Sequence, residues 1–196
     1  MIKKGEWLLL LFNFVYIIGF TIYYVSIKNY EFLVYIGVLV LLFVLVAGTL
    51  RKTKFSYALL WGLSLWGLMH MMGGGVRING ATLYSLRLIP IWETSEYFIL
   101  RFDQFVHAYL YFVMVFVAYQ LLKDKIKPSL NKWIFYAVLL FVSAGIGAGN
   151  EIVEFSTVLF FEKTGVGGYY NNMWDLVFNS LGALLATGIL ATRGKK

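Results

Sequence analysis

Six long apolar stretches, separated by short polar breaks, constrain this chain more than any other feature. They cover residues 7–26, 32–50, 55–72, 103–122, 133–160 and 173–192. A helix needs about 20 apolar residues to cross the hydrocarbon of a bilayer, and each stretch is of that order. The breaks carry the charges: Lys28 to Glu31, Arg51 to Lys54, and Lys123 to Lys127. Composition agrees, at 60% hydrophobic and 14% charged over 196 residues. A soluble domain has roughly 45–50% apolar and 25% charged residues. So short a soluble chain cannot hide that much apolar surface, and a disordered chain does not carry it. The expectation is one integral membrane domain over residues 1–196. Its fold class is all-α: a polytopic bundle of six transmembrane helices, with a hairpin-containing outer loop between helices 3 and 4.

Several chemistries drop out at once. The chain has no cysteine, which removes disulfides, thiolate metal sites and a cysteine nucleophile. Both prolines, Pro90 and Pro128, fall between apolar stretches, so no proline kink is expected within a span. The net charge of +7 fits basic cytoplasmic loops better than a nucleic-acid partner. The first apolar stretch is too long for a signal-peptide core and lacks a small-residue cleavage site, so it reads as an uncleaved span.

Sorting charges by side gives an orientation. With the N-terminus inside, twelve basic residues fall on the cytoplasmic side and five on the other. The positive-inside rule therefore places both termini in the cytoplasm, and the setting is the plasma (inner) membrane, crossed several times. The ten acids sort the opposite way: only Glu6 and Asp124 fall inside, and the rest lie at or near the outer face. Both histidines do so too. At 1.5 Å per residue, His70 lies about 22 Å and Glu151 about 27 Å from the inner ends of their spans.

Four spans thus bring ionisable groups to one outer layer: His70, Asp103 with His107, Glu151 with Glu154, and Asp175. Asp103 and His107 are four apart and Glu151 and Glu154 three apart, so each pair shares a helix face. Asp175, Asn179, Gly182 and Ala186 form one stripe, polar then small, as expected for a face turned into a bundle. The glycines from Gly145 to Gly149 read as ordinary close helix packing.

Ionisable groups inside a membrane are expensive and mark functional sites by default. His nitrogen with Asp and Glu oxygen suits a divalent metal such as zinc, iron, manganese or magnesium. Hydrogen-bonded glue between helices, with one or two protonated acids, is the competing account. Glu93, Glu96 and Glu162 read as solvated loop charges.

In the outer loop, Asn79-Gly80 between short alternating runs signals a hairpin. Residues 86–100, with Pro90, Trp92, Tyr97 and Phe98, read as an interfacial segment. The loop is either a lid over the cluster or a plain amphipathic connector. The glycines at 165–168 lack the Lys-Ser/Thr of a phosphate loop. Asn171-Asn172 marks a helix start.

At these motifs the chain resembles known families. Asp103-Gln104-Phe105-Val106-His107-Ala108-Tyr109-Leu110-Tyr111 is similar to the Asp-Lys-x-x-His-Phe-x-x-Tyr segment of VanZ-like membrane proteins, and Glu151 with Asp175, Asn179, Gly182 and Ala183 is similar to their closing motif. His70-Met71-Met72-Gly73-Gly74 and Asn150-Glu151-Ile152-Val153-Glu154-Phe155 resemble segments of YjdF-type inner-membrane proteins. VanZ-like proteins often carry Gln where Glu154 stands. The resemblance implies a polytopic membrane protein of poorly defined activity, with envelope or lipid-linked substrates.

The leading expectation is a metal-dependent, hydrolase-like membrane enzyme acting on a lipid or lipid-linked envelope substrate at the outer face. His70, Asp103, His107, Glu151, Glu154 and Asp175 would supply the metal ligands. Glu151 or Glu154 would serve as general base, and Asn179 would orient a ligand. Membrane lipids are the expected partners, and nucleic acid is not one. The alternatives are a small cation- or proton-coupled transporter, and a non-catalytic envelope protein whose polar cluster is structural.

Overall fold

The computed structural model describes residues 4–93, 98–127, 129–160 and 168–193. The chain forms two compact units, residues 1–103 and 104–196. Glu96, Glu162 and residues 165–167 lie outside the described residues.

The first unit packs three helices: α1 (Lys4–Ser26), α2 (Tyr30–Thr53) and α3 (Tyr57–Gly75). Polar side chains set the helix starts. Asn29 accepts from the Phe32 amide and Ser56 from the Leu59 amide, satisfying donors that a helix start leaves open. α2 ends on Lys54 in the left-handed conformation (φ 51°). Polar groups cross between α1 and α3. Asn13 donates to Ser64 Oγ at 2.7 Å, and the Tyr16 hydroxyl donates to Asn13 at 2.9 Å. Tyr24, fully buried, donates to the Met71 carbonyl at 2.6 Å. Phe32 stacks on Tyr24, and its ring lies where a Cβ on Gly74 would sit, 1.8 Å away. The glycine run after His70 therefore admits aromatic rings against the end of α3.

The connection from α3 is built of strands. β1 (Arg77–Ile78) and β2 (Ala81–Thr82) pair antiparallel around Asn79 (φ 51°) and Gly80 (φ 84°). Positive φ at both turn residues is the expected Asn-Gly hairpin geometry. A 3-10 turn, Leu83–Ser85, follows, and then β3 (Arg87–Glu93) pairs antiparallel with β4 (Phe98–Arg101). Residues 86–100 are thus largely a second strand pair, so the all-helical description holds for the bundle and not for this loop. Glu93 is exposed and bonded to Arg87 at 2.6 Å.

The second unit packs α4 (Phe102–Leu122) from Gln104 onward, α5 (Lys132–Phe160) and α6 (Tyr169–Arg193). The stripe expected on α6 is buried: Asp175 and Asn179 are each 1% exposed and Ala186 is 0%. A Cβ on Gly182 would lie 2.0 Å from the Ala108 carbonyl oxygen, so α4 and α6 meet backbone to backbone there. Ser143 of α5 donates to the Tyr111 carbonyl of α4 at 3.1 Å. Of the α5 glycines, Gly147 is packed between neighbours, while Gly145 and Gly149 face open space. α6 begins at Tyr169, two residues before the expected start, so Asn171 lies inside its first turn.

Five helices, α1, α2, α4, α5 and α6, are long and apolar enough to cross a membrane. α3 has spanning length, but Trp61, Ser64, Trp66, His70 and its glycines dilute its apolar character, so the six-span expectation stands at five by this measure. Large apolar side chains are exposed along the helices, among them Phe14, Ile22, Leu41, Phe141 and Leu185. That arrangement suits lipid as the surrounding solvent.

Replacing Gly182 with Ala should force α4 and α6 apart, destabilising by roughly 1–3 kcal/mol as overpacking does. The expected result is a lowered unfolding midpoint in detergent. Gly145→Ala, facing open space, should leave the midpoint unchanged or raise it slightly, because Ala favours helix.

Candidate functional site

In the second unit three helices meet around one amide. Asn179 of α6 donates through Nδ2 to Glu151 Oε1 of α5 at 3.0 Å. Its Oδ1 lies 3.0 Å from His107 Nδ1 of α4. His107 Nδ1 is also 3.3 Å from Glu151 Oε1. The roles follow from chemistry. A carboxylate oxygen only accepts, so the Asn179 nitrogen faces Glu151 and its oxygen faces His107. His107 Nδ1 then meets two acceptors and must carry the proton, which leaves Nε2 of a neutral imidazole with the lone pair. All three side chains are buried: His107 8%, Glu151 5% and Asn179 1% exposed.

Two further amides hold the remaining acids. Asn150 donates to Glu154 Oε1 at 2.8 Å, and Asn171 donates to Asp175 Oδ2 at 2.6 Å. Each is four residues from its partner on the same helix, the spacing at which side chains meet. Glu151, Glu154 and Asp175 can each offer an oxygen such that all three lie within 4.8 Å of one another. Because α4 runs unbroken from Phe102, Asp103 is carried one turn before His107. Asp103, His107 and Asp175 form a second such group, and Asp175 belongs to both.

Two atoms stand out. Glu151 Oε2 and the Tyr111 hydroxyl are buried, with no hydrogen-bond partner among the described residues. Such an atom forfeits about 1–3 kcal/mol unless something else meets it. Tyr111 is one turn after His107 on α4 and fully buried. It was not among the expected site residues, although it closes the segment that resembles VanZ-like proteins and lies four residues from His107. Asn171 was likewise read as a helix start, not as a partner of Asp175.

His70 belongs to the first unit and to neither metal-capable group among the described residues. Its ring stacks on Trp66 and lies near Phe32, Tyr35 and Tyr84. The Tyr84 hydroxyl contacts both His70 Nδ1 and the His70 carbonyl, fastening the 3-10 turn to the end of α3. Glu31, sorted above with the outer acids, is buried at 7% exposure and accepts from Tyr35 at 3.2 Å.

These features define a helical membrane protein with an acid, amide and histidine cluster buried among three of its helices. Residues 8–196 match the family described as "Predicted membrane protein (DUF2238)", and the chain belongs to that family. No curated protein and no solved structure matches the chain significantly.

The polar bridge implies a stability cost for its removal. Asn179→Ala leaves a buried imidazole N–H and a buried carboxylate short of partners, so about 3 kcal/mol should be lost. A fall in the unfolding midpoint larger than that for Ser180→Ala, on the same helix, is the expected measurement.

Proposed function

We propose that the second unit holds a divalent cation and that the protein is a metal-dependent membrane enzyme, hydrolase-like, acting on a lipid or lipid-linked substrate. One observation carries the reading: Glu151 keeps one oxygen buried and without a hydrogen-bond donor among the described residues, within a set of three carboxylates whose oxygens lie within 4.8 Å of one another. Three acids in an apolar bundle repel one another unless protonated or neutralised. A divalent cation offsets most of that repulsion and gives Glu151 Oε2 a partner.

In this reading Glu151, Asp175 and Nε2 of His107 are ligands. Asn179 fixes the imidazole by accepting from Nδ1, a supporting contact typical of metal-bound histidine. Asp103 adds a ligand from the first turn of α4. Glu154, half-buried and steadied by Asn150, takes the proton of an attacking water. The contacts of His70 with Tyr84 favour a structural part for it. The oxygen-rich set favours manganese or magnesium over zinc. The charge distribution supports six spans with both termini inside, which puts the cluster on the outer side of the plasma membrane. The resemblance to VanZ-like and YjdF-type proteins points the substrate toward the envelope.

Elemental analysis of protein purified without added metal tests the site. Stoichiometric metal is expected in the wild type, with its loss in His107→Ala and Glu151→Gln while helical content persists. No metal in the wild type overturns the reading, and metal retained in both variants removes these residues from the site. Orientation is checked separately, since the chain lacks cysteine. In intact cells a membrane-impermeant thiol reagent should label Ser26→Cys and spare Lys125→Cys; the reverse pattern would invert the sides.

A further inference from the structure

Tyr111 has no part in the reading above, yet it borders the cluster. A Cβ on Gly147 would lie 3.3 Å from Tyr111 Cε1 and 3.2 Å from Asn179 Nδ2, so the phenol ring and the amide that bridges His107 and Glu151 both pack against Gly147. Its hydroxyl is within electrostatic reach of Glu151 and Glu154. It nevertheless has no hydrogen-bond partner among the described residues, and neither does Glu151 Oε2. Each of these buried groups forfeits free energy unless something else meets it. A cation takes the Glu151 oxygen. What meets the phenol must be an acceptor.

Charge narrows that acceptor. No Lys or Arg occurs at 104–122, 133–160 or 169–192, so these helices offer no basic side chain along their membrane-crossing lengths. Phosphate groups are ordinarily held by such side chains, by metals or by helix N-termini. Ionised, Asp103, Glu151, Glu154 and Asp175 would bring four negative charges, and one divalent cation cancels two. The centre stays negative, repels a phosphoester and admits a neutral group.

Resting on the cation reading above, we infer that the substrate group is an uncharged lipid carboxylic ester and that Tyr111 donates a hydrogen bond to its carbonyl oxygen. Water attacks the carbonyl carbon and its proton passes to Glu154. The carbonyl electron pair moves onto oxygen, where the phenol stabilises it by its hydrogen bond; a bound cation would add positive charge there. On collapse the bond to the alcohol oxygen breaks, and Glu154 returns the proton to the leaving alcohol. The products are a carboxylic acid and an alcohol, and no redox partner is needed.

The test uses the full chain in non-ionic detergent, loaded with manganese, whose paramagnetism broadens NMR signals of nearby nuclei. Decyl trifluoromethyl ketone, a neutral carbonyl probe, is followed by fluorine NMR and decyl phosphate by phosphorus NMR. Saturable broadening of the ketone and not of the phosphate is expected. Tyr111→Phe should keep its manganese and bind the ketone about tenfold more weakly, the loss of one hydrogen bond. Phosphate binding as tight as the ketone overturns the inference and leaves the cation site standing. So does equal ketone affinity in Tyr111→Phe, or binding of neither probe. A wild type that binds no manganese removes the cation reading, and this inference with it.

Discussion

A carboxylate carried into an apolar bundle must be met by something, and in the second unit that something is first of all the Asn179 amide. It offers one donor and one acceptor, and uses them on side chains from two other helices. Glu151 of α5 and His107 of α4 are thereby held 3.0 Å from the same residue of α6. The close approach that permits this is set one turn away. Gly182, three residues after Asn179, lets α6 rest on the Ala108 carbonyl, and Gly147 clears space for Asn179 itself. Small residues bring the helices together, and the amide then fixes the register of their polar groups. Interhelical polar contacts of this kind contribute roughly 0.6–2 kcal/mol each in membrane proteins, so their worth lies as much in specificity as in stability.

The acids beside this bridge are positioned by a repeated local device. Asn150 steadies Glu154, and Asn171 steadies Asp175, each from four residues away. An amide orients a carboxylate without neutralising it, which suits groups kept ionised for a ligand. The first unit uses polar atoms differently. Asn13, Ser64, Tyr16 and Tyr24 bond to one another or to backbone carbonyls, and His70 sits among aromatic rings. That pattern fastens helices and leaves His70 as an anchor for Tyr84.

Much of the architecture is legible in the chain. The first apolar stretch ends at Ser26, the fourth at Leu122 and the fifth at Phe160, and their helices end there too. Elsewhere the bounds differ: α2 begins at Tyr30, capped by Asn29 from within the polar break, and α3 begins at Tyr57, capped by Ser56 two residues into its apolar stretch. The Asn79-Gly80 hairpin was readable because few residues accept two successive positive φ angles. The β3–β4 pair was not. Leu88, Ile89, Ile91 and Trp92 are apolar without alternation and Pro90 interrupts them, so neither strand nor helix periodicity shows. In the site, spacing correctly put Asp175 and Asn179 on one buried face. It could not reveal that Asn179 bridges two other helices.

The sequence by itself determined that this is a membrane protein with apolar helices, and which residues carry rare polar groups into them. Those facts follow from transfer free energy and helical period, which are local. Only the tertiary structure decided which polar groups meet. It gathered His107, Glu151, Glu154, Asp175 and Asn179 in one unit, gave His70 an aromatic setting in the other, and left the Tyr111 hydroxyl, one turn from His107, without a hydrogen-bond partner among the described residues. Such outcomes depend on the rotation and separation of packed helices, and those are set by contacts between residues as far apart as Ala108 and Gly182.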